Sequence, residues 1–259
     1  MTQKNSSEYA MHLKDKNVPK YQYEKIRYTK SYILSKDKEL HIYDNVSKFL
    51  KNKRKKFKMV LDCGCGYGRS INLLKNKSEI ILGVDISKRA IKKASKYIGN
   101  KKQKKIIFIN ADIEKLPFKD ESFDLIISIE SLPYTNSPQR YVKEIKRVLD
   151  RKGILIISIE NKYGGILSDQ YISKNDLIRA IKTGKTQNTK YFTNKEFSDF
   201  LKKMGFSIIF EDKIGFAISG IFQRFDFNKR EIKTIEQLCK KDKVLSNLSR
   251  GLCFICKKN

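Results

Sequence analysis

Two histidines in 259 residues, few acids, an odd number of cysteines and no long apolar run set the first limits on this chain. His12 and His41 stand too few and too far apart to suggest a histidine metal cluster. Five cysteines in a chain of this size argue against a disulfide framework. Cys253 and Cys256 form C-x-x-C, but inside an expected strand (252–256). Positions i and i+3 of a strand point to opposite faces, and no second pair completes a set, so no metal is expected. No apolar stretch approaches the roughly 18 residues that span a bilayer, and the first thirty residues lack the apolar segment of a secretory signal. The expectation is a cytoplasmic protein without a membrane partner.

Acids are outnumbered, 28 against 56 bases, for a net charge of +28 and a pI near 9.8. Such a field draws polyanions. Yet 45 of the bases are Lys and 11 are Arg, spread along the chain, whereas planar recognition of phosphates and bases favours Arg. Only 51–58 is a dense block. RNA is therefore a possible partner, secondary to a small molecule. With 40% hydrophobic residues the chain can bury one sizeable core.

What is present in strength is a glycine corner. Met59, Val60 and Leu61 run into Asp62, and Gly64, Gly66 and Gly68 follow before a helix-like segment at 70–74. Glycines there let backbone approach a ligand where a Cβ would collide, and the helix start presents unpaired N–H groups. The dinucleotide fingerprint G-x-G-x-x-G does not fit, because its third glycine position holds Arg69. One βα unit later a short apolar strand (79–84) ends at Asp85, at the distance where an acid meets ribose hydroxyls. Ser87 is placed to cap the next helix, which carries Ala90, Ile91 and Ala94 on one face. A third apolar run from Ile106 reaches Asp112 and Ile113. Then come Leu116, Pro117, Phe118 and Ser122, Phe123, Asp124 before a fourth strand, for whose start Asp124 is the expected anchor. A helix ending in Arg147, Val148 and Leu149, a turn at 150–153 and a fifth strand at 154–159 complete the series.

These pieces, in this order, resemble the class I S-adenosylmethionine (SAM) dependent methyltransferases, above all their small-molecule and biosynthetic members. The resemblance is close over 58–160. It implies an α/β, Rossmann-like, seven-stranded sheet, mostly parallel with the last strand antiparallel, flanked by helices. It implies SAM as cofactor, held by Asp62, Gly64, Cys65, Gly66 and Gly68 in the loop. Asp85 would take the ribose, Ile86 would lie on adenine, Asp112 and Ile113 would meet the adenine edge, and Glu130 would stand beside the methyl group. The family's Pro in the turn after Leu149 is absent here, which affects turn geometry only.

Around that core the chain divides into an N-terminal leader and helical cap (1–56) and the methyltransferase domain (57–259), with a capping insertion at about 161–191. The apolar positions Leu40, Tyr43, Val46, Phe49 and Leu50 mark an amphipathic helix over 31–50. Gly184 and Lys185 do not belong to a P-loop, since Arg179 stands where the earlier glycine is needed. Thr193 and Glu196 form a capping box, Gly205 stops that helix, and a sixth strand starts at Phe206. The aromatic stretch 215–227 is suited to an acceptor pocket or to the core. A helix at 232–245 and a last strand at 252–256 follow.

Methyl transfer to oxygen or nitrogen calls for positioning and, in some cases, a base. The candidates are Glu130 and Tyr134, after the fourth strand. Tyr28, His41, Tyr134 and Tyr163 are the candidate acceptor contacts. Ser131, Leu132, Pro133 and Tyr134 replace the Asp/Asn-Pro-Pro-Tyr of nucleic-acid amino-methyltransferases. The reading is therefore a methyltransferase acting on a small molecule. An RNA methyltransferase is the alternative, and a non-catalytic partner subunit stands behind it.

Overall fold

A computed structural model describes residues 36–53, 56–98, 105–168, 174–185, 190–215 and 229–259. Tyr28, the leader and nearly all of 215–227 lie outside them. The strands are β1 (Phe57–Cys63), β2 (Ser78–Asp85), β3 (Lys105–Asn110), β4 (Phe123–Ile129), β5 (Leu149–Glu160), β6 (Phe206–Ile214) and β7 (Gly251–Lys258). They form one sheet in the order β3-β2-β1-β4-β5-β7-β6. Pairing is parallel from β3 to β5, and β7 runs antiparallel to both its neighbours. Parallel strands covered on both faces are apolar throughout rather than alternating. That is why Leu125, Ile126 and Ile127 of β4, and Leu155, Ile156 and Ile157 of β5, are all fully buried.

The helices are α1 (Lys36–Lys51), α2 (Ile71–Leu74), α3 (Lys88–Ile98), α4 (Pro138–Val148), α5 (Lys162–Ser168), α6 (Lys174–Thr183), α7 (Asn194–Lys203) and α8 (Lys229–Lys241). One face of the sheet packs under α1, α2 and the end of α3, through Ile42, Val46, Leu50, Ile71, Leu74 and Ile98. The other packs under α4 and α7, through Tyr141, Val142, Ile145, Phe197 and Leu201. Cys253 enters the first cluster and Cys256 the second, as strand alternation dictates.

Local chemistry accounts for several joints. Asp124 accepts from the N–H groups of Lys58 and Met59 (2.7 and 3.1 Å) and so registers β4 against β1. Arg147, in the last turn of α4, gathers the approach to β4. Its guanidinium donates to Leu116 O, Phe118 O and Asp120 at 2.7–3.0 Å while also holding Glu144. At α7, Thr193 Oγ1 accepts from Glu196 N and the Glu196 carboxylate accepts from Thr193 N, the reciprocal box read from the sequence. Gly205, at φ +82°, ends that helix in the left-handed region.

Three expectations change. Helix α1 is no lid over the site but a flank of the core. Its buried stripe is Ile42, Val46 and Leu50, at four-residue steps, with Tyr43 half-buried at the margin. Asn45 Nδ2 reaches Asp212 of β6 (2.8 Å), and the helix then descends toward the start of β1. The turn at 150–153 lies inside β5. Phe123 pairs with Leu149 and Leu125 with Ile154, so the extra residues bulge out and the strand resumes. The insertion at about 161–191 opens with a helix, α5, that the sequence did not suggest, while α6 covers the short helical stretch it does suggest around 177–181.

Truncating the α1 stripe tests that correction. Ile42→Ala is expected to cost about 2–5 kcal/mol in urea unfolding, as a fully buried Ile does, with SAM affinity at saturating folded protein unchanged. A stability loss near zero with weakened SAM binding would restore the lid.

Candidate functional site

The strand order reverses between β1 and β4, which opens a crevice beyond their carboxyl ends. Open α/β sheets bind ligands at such a point. The structure brings Asp62, the glycine loop, Asp85, Ile86, Asp112, Ile113, Glu130 and Tyr134 to this edge, each at or just past the end of β1, β2, β3 or β4.

The glycines do three different jobs. All sit at positive φ: Gly64 at +80°, Gly66 at +51° and Gly68 at +76°. A Cβ on Gly64 would run into Ser131, whose own Cβ lies 2.6 Å from that point. A Cβ on Gly68 would strike Ile98 Cδ1 at 2.7 Å and Phe108 at 3.3 Å. A Cβ on Gly66 would meet nothing within 4 Å. Gly64 and Gly68 are glycines because protein packs on them. Gly66 offers bare backbone to open space, the cradle a ligand needs.

Asp85 braces this loop. One carboxylate oxygen accepts from Gly66 N–H (2.8 Å), and the other from Ser87 N–H (2.9 Å) at the head of α3. Burial raises its pKa, while the two N–H bonds pull it down. A carboxylate has further lone pairs, so a ligand hydroxyl can still find acceptors there. Asn110 donates to Asp85 O and Ile86 O (3.0 and 2.7 Å), which holds the half-buried Ile86 at the rim. Ser87 Oγ caps Ala90 N, as expected. Asp112 accepts from Glu114 N (2.8 Å), turning the chain after β3, and Ile113 packs partly on the core.

Asp62 is buried beneath the loop and accepts a hydrogen bond from Ser70 Oγ at the head of α2. Desolvation pushes its pKa up to about 7, although the Ser70 bond opposes the rise and the nearby Asp85 charge adds to it. Its role is to hold loop and helix together from below. The Cys65 thiol is also turned inward, against Gly83 of β2, so what this residue presents outward is backbone.

Glu130 follows β4 at φ +52°, a left-handed conformation that costs energy for a residue with a side chain. It is held there by two bonds from its N–H, to Ser158 O and Ser158 Oγ (3.1 and 3.2 Å). Next to it Ser131 Oγ donates into Cys63 O (3.0 Å) beside Gly64. The Glu130 backbone is thereby held at the end of β4, next to the residue that packs on the loop. Tyr134, in the short turn Leu132–Tyr134, and Tyr163, in α5, are both about half exposed above the ends of β4 and β5. His41 lies in α1, and its side chain is outside the described residues, as is Tyr28. Ser131, Asn110 and Glu114 were not singled out from the sequence. Their partners lie 20 or more residues away, and no local pattern marks them.

Comparison with known proteins agrees with this geometry. Residues 61–157 match the family described as a methyltransferase domain. An uncharacterised protein of Methanocaldococcus jannaschii is 40% identical over 47% of this chain and 49% of its own length, so the chain spans about half of it. A second protein of that organism is 30% identical over 78% of this chain and 81% of its own. The chain belongs to the class I SAM-dependent methyltransferases. The ubiquinone biosynthesis O-methyltransferase of Pelagibacter ubique is 27% identical across 75% of this methyltransferase and 76% of the relative. A solved structure from Pyrococcus horikoshii superposes with a TM-score of 0.62 at 23% identity, over 92% and 99% of the two chains. That likeness carries the fold alone. SAM is the cofactor of this enzyme, and the open space over Gly66 fits it.

Two outcomes follow from the loop. Gly66→Ala is expected to lower SAM affinity at least tenfold with only the modest stability loss, about 1 kcal/mol, of placing a side chain in left-handed backbone. Gly64→Ala, aimed into Ser131, is expected to shift the melting temperature strongly; equal thermal effects for the two would remove the distinction. The second outcome concerns pH. An acid whose folded pKa lies above its unfolded value takes up a proton on folding, so its contribution is present at low pH and is lost as pH rises through about 7. The stability of the wild type relative to Asp62→Asn is therefore expected to fall between pH 4 and pH 8 in urea titrations. A pH-independent difference would refute the buried acid.

Proposed function

We propose that this methyltransferase acts on an oxygen or nitrogen atom of a small molecule or biosynthetic intermediate. The reading is carried by the edge beyond β4 and β5, where Glu130 is clamped beside the glycine loop and two tyrosines stand exposed. Similarity to a quinone-pathway O-methyltransferase over three quarters of both chains supports it. So does the Ser131-Leu132-Pro133-Tyr134 string, which lacks the asparagine or aspartate and the first proline used to hold a planar base amine.

Bound SAM supplies an activated methyl group, so the hard chemistry is brought in by the cofactor. The chain's part is to bind, orient and exclude water. In this reading Asp85 takes the ribose hydroxyls, Ile86 and Ile113 enclose the adenine, Asp112 meets its amino group, and backbone at Gly64, Gly66 and Gly68 borders the amino-acid end. Glu130 faces the transfer point and accepts the proton that an O–H or N–H acceptor must lose. Tyr134 and Tyr163 border the acceptor.

One observation favours a second reading. The net charge of +28 is what an RNA enzyme would carry. It makes a distinct demand, tight RNA binding whose logarithm falls steeply with the logarithm of salt.

Calorimetric titration with SAM, S-adenosylhomocysteine and NAD tests the cofactor site, with micromolar binding expected for the first two only. Asp85→Asn, which loses the charge and keeps an acceptor oxygen for only one of the two loop N–H groups, is expected to weaken both at least tenfold. Unchanged affinity would end the ribose assignment. Transfer of labelled methyl groups into a metabolite extract, but not into total RNA, is the expected result on the acceptor side, and the reverse would establish the second reading.

A further inference from the structure

Beyond the ends of β4 and β5 lie three lysines, Lys162, Lys185 and Lys190, with the Glu114 carboxylate acting on Lys190. Lys185 and Lys190 face each other across an antiparallel bridge. Like charges directly opposite in such a pair are destabilising. Lys190 is half-buried, and its ammonium donates to a neutral group, Asn136 O (3.1 Å), in the segment that follows Tyr134. Lys162 opens α5, and its N–H is fixed to Phe192 O (2.8 Å), two residues beyond Lys190. Its ammonium lies 3.7 Å from the point where a Cβ on Gly184 would stand, and 5.8 Å from the centre of the Tyr163 ring. Among the described residues none of the three forms a salt bridge. The nearest acid acting on Lys190 is Glu114, which already accepts from Asn136 N (2.6 Å) and lies 3.7 Å from Arg140 Nε. Burial and the Lys185 charge both lower the Lys190 pKa, and Glu114 only partly restores it. A folded chain that holds cations together in this way leaves charge to be met by something else.

We propose that Lys162, Lys185 and Lys190 form a binding site for an anionic group, a carboxylate or a phosphate, on the small-molecule acceptor. The inference rests on the small-molecule reading above and deepens it: the acceptor is an acid, held at one end by the lysines while its nucleophilic atom lies toward Glu130. Positions favour a small anion over a polymer. The cluster sits near the two strand ends that border the site, with Lys162 beside Tyr163 and Lys190 half-buried.

The test uses the full chain loaded with S-adenosylhomocysteine and two probes, pyrophosphate and citrate, titrated calorimetrically. The lysine variants are Lys185→Gln with Lys190→Gln, and the exposed Lys185→Gln alone. The control, Lys96→Gln with Lys119→Gln, removes as much charge elsewhere. The expected result is that at least one probe binds. Its affinity should then fall tenfold or more in the double variant, several-fold in Lys185→Gln, and little in the control, with S-adenosylhomocysteine affinity constant throughout. Which probe binds tells phosphate from carboxylate. Equal losses in control and lysine variants, or no binding of either probe, overturn the proposal while leaving the cofactor site standing. Loss of S-adenosylhomocysteine binding by the wild type would instead strike the cofactor reading. If the lysine variants spare both probes but abolish binding of a single-stranded RNA, the cluster belongs to a polymer and the small-anion proposal fails.

Discussion

The Asp85 carboxylate stands at the centre of the cofactor edge. It takes the N–H of Gly66 from one βα unit and the N–H of Ser87 from the next, and so, together with the Gly64 and Cys65 N–H groups on Val84 O, fixes the gap between the two loops. Charge-assisted bonds of this kind are roughly twice as strong as neutral ones. Their effect here is geometric: the glycine loop is held in left-handed backbone with its open side outward. Beneath it the buried Asp62 ties the same loop to the head of α2 through Ser70. One acid sets the loop from the rim and the other from below. Burial raises the pKa of both acids; two N–H donors oppose it at Asp85, whereas at Asp62 only Ser70 opposes the burial and the nearby Asp85 charge, and the pKa rises to about 7.

Much of this was legible in the sequence, and the rest was hidden for definable reasons. The acids Asp62 and Asp85 at strand ends, the Thr193 capping box and the Gly205 stop are local signals, and local signals survive folding. The identical appearance of Gly64, Gly66 and Gly68 concealed their different tasks. What a Cβ would strike is decided by Ser131, Ile98 and Phe108, which arrive from other strands and helices. The left-handed backbone of Glu130 has no signature at all, since it is imposed by Ser158 from the neighbouring strand. Helix α1 was recognised as amphipathic, yet amphipathicity does not say which surface the apolar stripe meets. Only the contacts of Ile42 and Asn45 place it on the flank of the sheet rather than above the crevice.

The sheet order divides the labour at the edge. Cofactor contacts cluster over β1, β2 and β3, where the side chains are small, inward-turned or bonded to backbone. The ends of β4 and β5 carry Glu130, the turn through Tyr134, and the helices α5 and α6. Asn161, buried at the end of β5, gives its amide to Asn247 O and Ser249 O (2.9 Å each) and so anchors the start of α5 to the head of β7. A rigid joint there lets the segment beyond it change composition without disturbing the sheet.

That division bears on the charge of the whole chain. A net +28 spread over flexible lysines is weak evidence about any one ligand, because solvent and salt screen exposed charges beyond roughly 10 Å. Position is stronger evidence than number. Lys195 is spent on Asp199 one helical turn away, and Lys240 on Asp212. Lys190 instead reaches a backbone carbonyl at the edge of the crevice and faces another lysine. Lys190 is the lysine of this group whose surroundings, burial and a facing cation at the edge of the site, set it apart from charges that solvent screens.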